Sequence, residues 1–208
     1  MSCGASAAAA PASTRLYAEP VSKSVYYCAA TLDGFIAESD DTLDWLTKYE
    51  GSFGGEGAEP MKGSYDHFYD GIGANVMGSA TYEFVLEELE SWPYAGKPSW
   101  VLSSRDLPLP QGASNDDVRI ADAKVTDLYE EMIAAAGERD LWVIGGGNVA
   151  SQFADAGLLD ELILTVTPVV LGEGKPLFDR RLPGGPLQLI GTRAFDSGMV
   201  ELRYAVGD

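Results

Sequence analysis

The sequence predicts an α/β protein whose central sheet is mostly parallel and carries an antiparallel hairpin at its C-terminal edge. Short β-prone segments alternate with segments of helical periodicity along the chain, which is typical of a sheet covered by helices. The segment Leu141-Trp142-Val143-Ile144 contains no polar residue, as expected for a strand buried on both faces. The last two β-prone segments, joined by a short turn, predict the hairpin.

In the first half of the chain, apolar periodicity and glycine or proline breaks separate the predicted elements. Apolar residues three and four positions apart, such as Tyr65, Phe68 and Tyr69, predict helices, and short β-branched or aromatic runs predict strands. In chain order we predict a strand at 25–30 ended by the turn pair Asp33-Gly34, a helical turn at 44–49, a mobile loop at 51–63, a helix from Tyr65, a strand at 75–77, a helix at 81–90 and a strand at 100–102.

The second half shows the same alternation. Val125, Leu128, Tyr129 and Met132 predict a helix that Gly137 closes as a C-cap. The remaining predicted elements are a strand at 141–144, a helix opening near Asn148 and running through 152–156, a strand at 162–170, and hairpin strands at 187–193 and 199–206 joined through 196–198.

Length and composition favour one globular domain. The chain has 208 residues, of which 46% are hydrophobic and 22% charged. Residues 1–23 are small and polar without sustained periodicity and predict a flexible leader. We therefore expect a leader at 1–23 and a single domain at 24–208.

The charge and the cysteine count exclude several classes of partner. With 32 acidic and 14 basic residues, the formal net charge is −18, which argues against nucleic acid as the main ligand. No apolar run approaches the roughly 18 residues of a membrane span. Two cysteines without a CxxC pair indicate neither a disulfide framework nor a zinc site. We expect a cytoplasmic protein without a metal.

The strongest local feature is the glycine run Gly145-Gly146-Gly147, which lies between an apolar strand and the start of a helix. Without Cβ atoms the backbone approaches a ligand closely, and the helix N-terminus offers free N–H groups to an anion. A tight strand–helix turn without a ligand explains the same pattern. Two other strand ends, at 78–81 and 102–105, are rich in glycine, serine and threonine, as in a nucleotide crevice, or as in ordinary helix caps and turns.

Several blocks together resemble the dihydrofolate reductase-like superfamily. The similarity is greatest to the reductase domain of bacterial bifunctional deaminase-reductases of riboflavin biosynthesis. The matching blocks, in family order, are TLDGFIA at 31–37, VMG at 76–78 followed by TYE at 81–83, VLSSR at 101–105, VIGGG at 143–147 and TPVVLGEGKPLF at 167–178.

The resemblance implies a dihydrofolate reductase-like three-layer fold, a homodimer, and an NADPH-dependent reductase of a small heterocycle of pterin or ribosylaminopyrimidine type. It also implies a cis peptide between Gly145 and Gly146. The residues that it implies at the cofactor are Ala29, Gly78, Ser79, Thr81, Leu102, Ser103, Ser104, Arg105, Ile144, Gly145, Gly146, Gly147, Asn148 and Val149.

At the substrate, the resemblance implies Asp33 beside the site of hydride transfer. An aspartate before glycine also serves simply to bond its own turn. The candidate substrate-binding residues are Tyr27, Ile36, Asp66 and Thr165, although an exposed aspartate on a helix is the more ordinary interpretation of Asp66.

The sequence departs from its relatives at two places where many of them carry a basic residue, Ser79 and Asn148. Arg105 is then left to select NADPH, and NADH is not excluded as the cofactor. The same departures support an alternative, a non-catalytic relative that binds a nucleotide or a planar ligand.

Overall fold

The computed structural model of the protein describes the backbone of residues 22–49 and 59–207. It describes the side chains of residues 22–49 and 62–207. The predicted leader therefore lies outside the described residues up to position 21, as does the predicted mobile loop between 51 and 58. Ser22 and Lys23 are described. The Ser22 hydroxyl donates to the Gly137 carbonyl at 2.7 Å, and the Lys23 N–H donates to the Asp140 carboxylate at 2.8 Å.

Strands and helices alternate along most of the described chain. The strands are β1 (Ser24–Thr31), β2 (Phe35–Ala37), β3 (Ile72–Gly78), β4 (Ser99–Leu102), β5 (Val118–Ala121), β6 (Asp140–Gly145), β7 (Glu161–Thr167), β8 (Lys175–Pro176), β9 (Gln188–Ala194) and β10 (Val200–Ala205). The helices are α1 (Asp44–Thr47), α2 (Glu59–Asp70), α3 (Ser79–Glu88), α4 (Val125–Ala136) and α5 (Gly147–Asp155).

The central sheet has the strand order β5-β4-β3-β6-β1-β7-β10-β9. Every neighbouring pair from β5 to β7 is parallel, and the pairs β7–β10 and β10–β9 are antiparallel. The predicted fold class, a mostly parallel sheet with an antiparallel C-terminal hairpin, is thereby confirmed. β2 and β8 form a separate two-stranded antiparallel sheet.

Helices cover both faces of the central sheet because successive strand residues point to opposite sides. On one face Tyr26 and Val143 pack with Met132 of α4 and Phe153 of α5. On the other face a second apolar cluster joins the sheet to α2 and α3; its buried members include Val25, Tyr27, Trp142, Tyr82 and Val85. The result is the three-layer arrangement that the resemblance implied.

The structure corrects the predicted loop at 51–63, because α2 begins at Glu59. Pro60 lies in the first turn of this helix, where a backbone N–H would have no acceptor within the helix, so proline costs no hydrogen bond there. The strand predicted at 162–170 ends at Thr167, since Pro168 cannot donate to the ladder. The strands β2, β5 and β8 were not predicted; each has between two and four residues.

Within the described ranges, every helix is too short or too polar to span a lipid bilayer. The parallel strands β1, β3 and β6 end at the same edge of the sheet, and α3 and α5 begin directly after β3 and β6. Such an edge is where open α/β sheets bind ligands.

Gly73 of β3 allows α4 to pack against the sheet. A Cβ at this position would lie 2.1 Å from the Ala136 carbonyl oxygen and 2.8 Å from its carbonyl carbon, both of them backbone atoms. We expect Gly73→Ala to lower the free energy of unfolding by about 3 kcal/mol, the upper range for overpacking, in urea denaturation at neutral pH.

The matched control is Gly63→Ala in α2, where an added Cβ meets no atom of the described residues within 4 Å. This change should raise the free energy of unfolding by about 0.5–1 kcal/mol, because alanine favours the helix. Equal effects of the two substitutions would show that the contact between β3 and α4 is not as tight as described.

Candidate functional site

A cavity of about 810 Å³ lies at the edge of the sheet where β1, β3 and β6 end. Its wall is formed by the starts of α3 and α5, by residues of α1, α2 and β8, and by strand and loop residues of the sheet edge. Its volume is at the upper end of the range for small-molecule pockets. The cavity is therefore large enough for an extended ligand or for two ligands side by side.

The glycine run forms the centre of one wall. β6 ends at Gly145, the peptide between Gly145 and Gly146 is cis, as expected, and α5 begins at Gly147. Gly146 is the N-cap of α5, and no side chain caps this helix. α3 starts in the same way after Gly78, again without a side-chain cap. Two helix N-termini thus border one cavity with N–H groups that no side chain occupies, an arrangement suited to an anion.

The glycines of this wall have different packing roles. A Cβ at Gly147 would lie 2.6 Å from the Pro176 carbonyl oxygen and 2.7 Å from that of Leu177, so only glycine allows α5 to meet the β8 segment. A Cβ at Gly146 would have ordinary contact, 3.8 Å from Ile36 Cδ1. Gly146 and Ile36 both line the cavity. The missing Cβ of Gly147 thus makes space for another segment of the protein, whereas the missing Cβ of Gly146 leaves space in the cavity that a ligand can fill.

The side chains at the start of α5 are held by hydrogen bonds. The Asn148 amide donates to Asp179 at 2.6 Å and accepts from Gln152 at 2.8 Å. Asp179 also accepts from Arg180 at 2.8 Å. The hydrogen bond from the Arg180 guanidinium is the largest of several effects and, against the opposing effect of burial and with the help of Asn148 and Ser151, it lowers the pKa of Asp179 to about 2. Asp179 is therefore ionised at neutral pH and orients Asn148.

Most of the residues implied by the resemblance line the cavity. From the cofactor set these are Ala29, Gly78, Ser79, Thr81, Leu102, Ile144, Gly145, Gly146, Gly147, Asn148 and Val149, and from the substrate set Tyr27, Ile36 and Asp66. The cavity wall does not include Asp33, Thr165, Ser103, Ser104 or Arg105.

Asp33 holds a turn together outside the cavity. One carboxylate oxygen accepts from the Thr31 hydroxyl at 2.6 Å, and the other accepts from the Gly172 N–H at 2.7 Å. The Leu171 N–H donates a weaker bond at 3.3 Å. These bonds, that of Thr31 first, lower the pKa of Asp33. The carboxylate thereby joins the turn after β1 to the segment after β7, next to Ile36 of the cavity wall.

Arg105 is engaged by a neighbouring acid. Its two terminal nitrogens donate to the two carboxylate oxygens of Glu83 at 2.9 and 2.6 Å. Both side chains are solvent-accessible. Ser103 caps the same turn by accepting from the Arg105 N–H at 3.0 Å. The cation that the sequence offered for a 2′-phosphate is thus paired in this structure.

Thr165 lies behind the cavity wall in the centre of the sheet. It is fully buried on β7, beside β1, and Tyr27 in front of it borders the cavity. The Thr165 hydroxyl interacts with that of Tyr27 and lowers its pKa, an effect smaller than those of burial and of Glu201. Burial, and then the charge of Glu201, raises the pKa of Tyr27, so its hydroxyl stays protonated and able to donate.

The sequence did not identify the aromatic part of the wall. Tyr65 and Tyr94 lie edge-on to Trp142 with ring centroids 5.8 and 5.6 Å away. All three residues line the cavity, together with Phe84. Tyr65 and Trp142 had been interpreted as members of a helix face and a buried strand. No local signal distinguishes a core aromatic residue from one that also faces a cavity.

Charged residues from distant segments complete the wall. Lys62 and Asp66 come from α2, Asp41 from the segment before α1, and Lys175 from β8. The Lys175 ammonium lies 3.4 Å from the Asp41 carboxylate. Only Asp66 among these residues was predicted, because the others reach the cavity through tertiary contacts.

The chain is similar to proteins of known sequence and structure. The RibD C-terminal domain family matches residues 23–200 of the chain. An uncharacterized protein of Bacillus subtilis (strain 168), YwjB, is 32% identical over 182 residues, which cover 88% of this chain and 97% of that protein.

Solved structures agree with this comparison. A Shewanella sp. PV-4 protein, assigned provisionally to riboflavin biosynthesis, superimposes with a TM-score of 0.72 at 28% identity, covering 89% of this chain and 99% of that one. A Thermotoga maritima diaminohydroxyphosphoribosylaminopyrimidine deaminase/5-amino-6-(5-phosphoribosylamino)uracil reductase shares the fold, with a TM-score of 0.62 at 14% identity over 89% of this chain and 56% of that one. Since the family match extends over nearly the whole described sheet and its cavity, the chain belongs to the RibD C-terminal domain family.

Proposed function

We propose that the protein is an NADPH-dependent reductase that transfers a hydride to a small planar heterocycle. The observation that carries the proposal is the meeting of two helix N-termini without side-chain caps, those of α3 and α5, at one cavity beside Gly146. Membership of a reductase-domain family supports the same activity.

The residues present fit a dinucleotide. In the proposed complex the N–H groups at the starts of α3 and α5 hold the diphosphate. These N–H groups take the place of cationic side chains. The Ser79 and Thr81 hydroxyls and the Asn148 amide supply further donors along this wall. A Cβ at Gly146 would occupy cavity space, so its absence allows a ligand to approach the backbone closely. When bound, the nicotinamide supplies the hydride.

The remaining cavity residues bind and orient the second reactant. The faces and edges of Tyr65, Tyr94 and Trp142 pack against a planar ring and exclude water from it. Asp66 offers a carboxylate at this end of the cavity. We propose that the protein acts by positioning the ring, since hydride transfer needs aligned reactants more than a strong acid.

Asp33 is proposed as a positioning residue in this scheme. Its bonds to Thr31 and Gly172 hold the turn that leads into β2, and β2 provides Ile36 to the cavity. A carboxylate whose pKa is already lowered is a poor proton donor at neutral pH.

Gly146→Ala tests the proposed cofactor site. The added methyl group has room in the protein but occupies cavity space, so we expect the melting temperature to stay within about 2 °C while NADPH affinity falls at least about tenfold. Isothermal titration calorimetry measures the affinity. Gly185→Ala, at a position open to solvent, is the matched control and should change neither quantity. Unchanged NADPH binding by Gly146→Ala would refute the proposed site.

Glu83→Gln tests how the cofactor is selected. Glutamine removes the charge that pairs with Arg105, so the guanidinium becomes available and repulsion of a 2′-phosphate falls. We expect the ratio of NADPH to NADH affinity to rise about fivefold, as expected for an exposed pair. Glu87→Gln, one turn further along α3 and also exposed, should leave the ratio unchanged. An unchanged ratio in both variants would show that the pair of Arg105 and Glu83 does not affect cofactor selection.

Asp33→Asn separates a positioning role from a catalytic one. Because the pKa of Asp33 is below its ordinary 3.8 in the folded protein, its stabilising contribution is present above pH 3.8 and disappears as the pH falls through the lowered value. We expect the variant to melt earlier than the wild type at pH 7 and this difference to shrink in acid below pH 4. KM should rise more than kcat falls. Equal melting with a hundredfold loss of kcat would instead make Asp33 catalytic.

A further inference from the structure

We propose that Glu201 is a positioning residue for hydride transfer, whose buried carboxylate favours the positive charge of an oxidised nicotinamide ring in the neighbouring cavity. The inference rests on the proposed function and deepens it. Glu201 lies on β10 and is only 9% exposed. By contrast, the charged side chains that line the cavity are exposed to solvent.

Glu201 belongs to a row of side chains that leads to the cavity. β10 pairs with β7 so that Glu201 stands opposite Thr165, and β7 pairs with β1 so that Thr165 stands opposite Ala29. Residues paired in this way present their side chains on the same face of a sheet. Ala29 borders the cavity. Because neighbouring strands lie about 4.8 Å apart, Glu201 is about 10 Å from β1.

The Glu201 carboxylate is held between the sheet and α2. The Ser64 hydroxyl of this helix donates to it at 3.0 Å. Lys62 and Asp66 border the cavity, and each lies two residues from Ser64. Two positions along a helix differ by roughly 200° in direction, so Ser64 faces the sheet while its neighbours face the cavity. The carboxylate therefore lies beneath the helix that forms part of the cavity wall.

The two buried acids of the described chain differ in their partners. Glu161 forms ion pairs with Lys23 and Arg203. Glu201 forms no ion pair among the described residues and accepts from the neutral Ser64 hydroxyl. Its charge is therefore not compensated at short range. Water and salt screen a buried charge less than an exposed one, so this charge acts over a longer distance.

The charge of Glu201 is felt at the cavity wall. Tyr27 borders the cavity on β1. Burial first, and then the charge of Glu201, raises the pKa of the Tyr27 hydroxyl. The carboxylate thus disfavours a negative charge at Tyr27, and by the same interaction it favours a positive charge beside β1.

The reacting end of a dinucleotide lies on the β1 side of the cavity in the proposed complex. β1 and β3 flank β6 in the sheet, and β4 lies beyond β3. A diphosphate at the starts of α3 and α5 therefore has β4 on one side and β1 on the other. The aromatic wall proposed for the substrate is on the β1 side, since the Tyr65 ring lies 6.5 Å from that of Tyr27.

Hydride transfer changes the charge at this place. It breaks a C–H bond of the reduced nicotinamide and forms a C–H bond on the substrate with the same electron pair. One positive charge is left on the nicotinamide and one negative charge on the substrate, which takes up a proton from water. The Glu201 carboxylate favours the positive charge and so favours donation of the hydride.

Glu201→Gln tests the proposal through two dissociation constants. Calorimetric titrations with NADP⁺ and with NADPH give the ratio of the Kd of NADP⁺ to that of NADPH, in which the shared diphosphate and adenosine contacts cancel. Glutamine keeps the size of the side chain and an acceptor for Ser64, but it removes the charge. We expect the ratio to rise at least about threefold in the variant, as for a unit charge about 10 Å away.

Two control variants separate the charge of Glu201 from its packing and from the net charge of the chain. Glu201→Asp retains the charge, so its ratio should stay within about twofold of that of the wild type. Asp70→Asn removes an exposed charge of α2 that is not part of the cavity wall. It should leave the ratio unchanged, because water and salt screen an exposed charge. Melting temperatures show that each variant is folded.

A measurement on the wild type requires no substitution. Between about 0.05 and 0.5 M KCl the ratio should change by less than about twofold, because salt screens a buried charge little. A ratio that changes about tenfold over this range would assign the preference to exposed charges and overturn the proposal.

The variants give equally clear outcomes. Equal ratios in the wild type and Glu201→Gln overturn the proposal, and so does a Glu201→Asp ratio that matches that of Glu201→Gln. If the wild type binds neither NADP⁺ nor NADPH, the proposed function fails, and this inference fails with it. Binding of both with an unchanged ratio in Glu201→Gln refutes the role of Glu201 alone.

Discussion

The close approach of the glycine turn to the β8 segment is the constraint on which the site depends. With a side chain at Gly147, α5 could not begin where it does, since a Cβ there would lie 2.6 Å from the Pro176 carbonyl oxygen. The pairing of β3 with β6 places the starts of α3 and α5 side by side, and the contact at Gly147 brings the β8 segment, with Lys175, to the same cavity wall. One backbone contact thus determines how closely the start of α5 meets the β8 side of the cavity.

The strong acidity of the chain bears differently on different phosphates. A net charge of −18 disfavours association with nucleic acid, whose many phosphates require many cations. A single diphosphate needs only a few N–H groups at helix N-termini, which surface composition does not reveal. The acidity of the chain is therefore compatible with a single diphosphate at the starts of α3 and α5.

Sequence patterns predicted the parts of the fold that local chemistry determines. The buried parallel strands β1, β3 and β6 and the C-terminal hairpin were predicted, because continuous or β-branched apolar runs between turn residues have few alternatives. β2, β5 and β8 escaped prediction since strands this short exist only through their partners. In the same way, Gly145 to Gly147 were predicted at the site, whereas Lys62, Lys175 and Trp142 reach the cavity through packing that no spacing in the sequence reports.

The cavity wall combines groups of two kinds, backbone N–H groups at the starts of α3 and α5 and side chains from α2 and its neighbours. At the start of α5 the cavity is bordered by peptide N–H groups, which side-chain substitutions other than proline leave in place. On α2, Phe68 and Tyr69 pack into the core while Lys62, Tyr65 and Asp66 border the cavity. Exchanges at Lys62 and Asp66 would alter the charge of the cavity wall, whereas Tyr65 also packs against Tyr27 and Trp142 of the sheet. The charge of the wall can therefore vary along α2 while the glycine turn and the aromatic contact with the sheet stay unchanged.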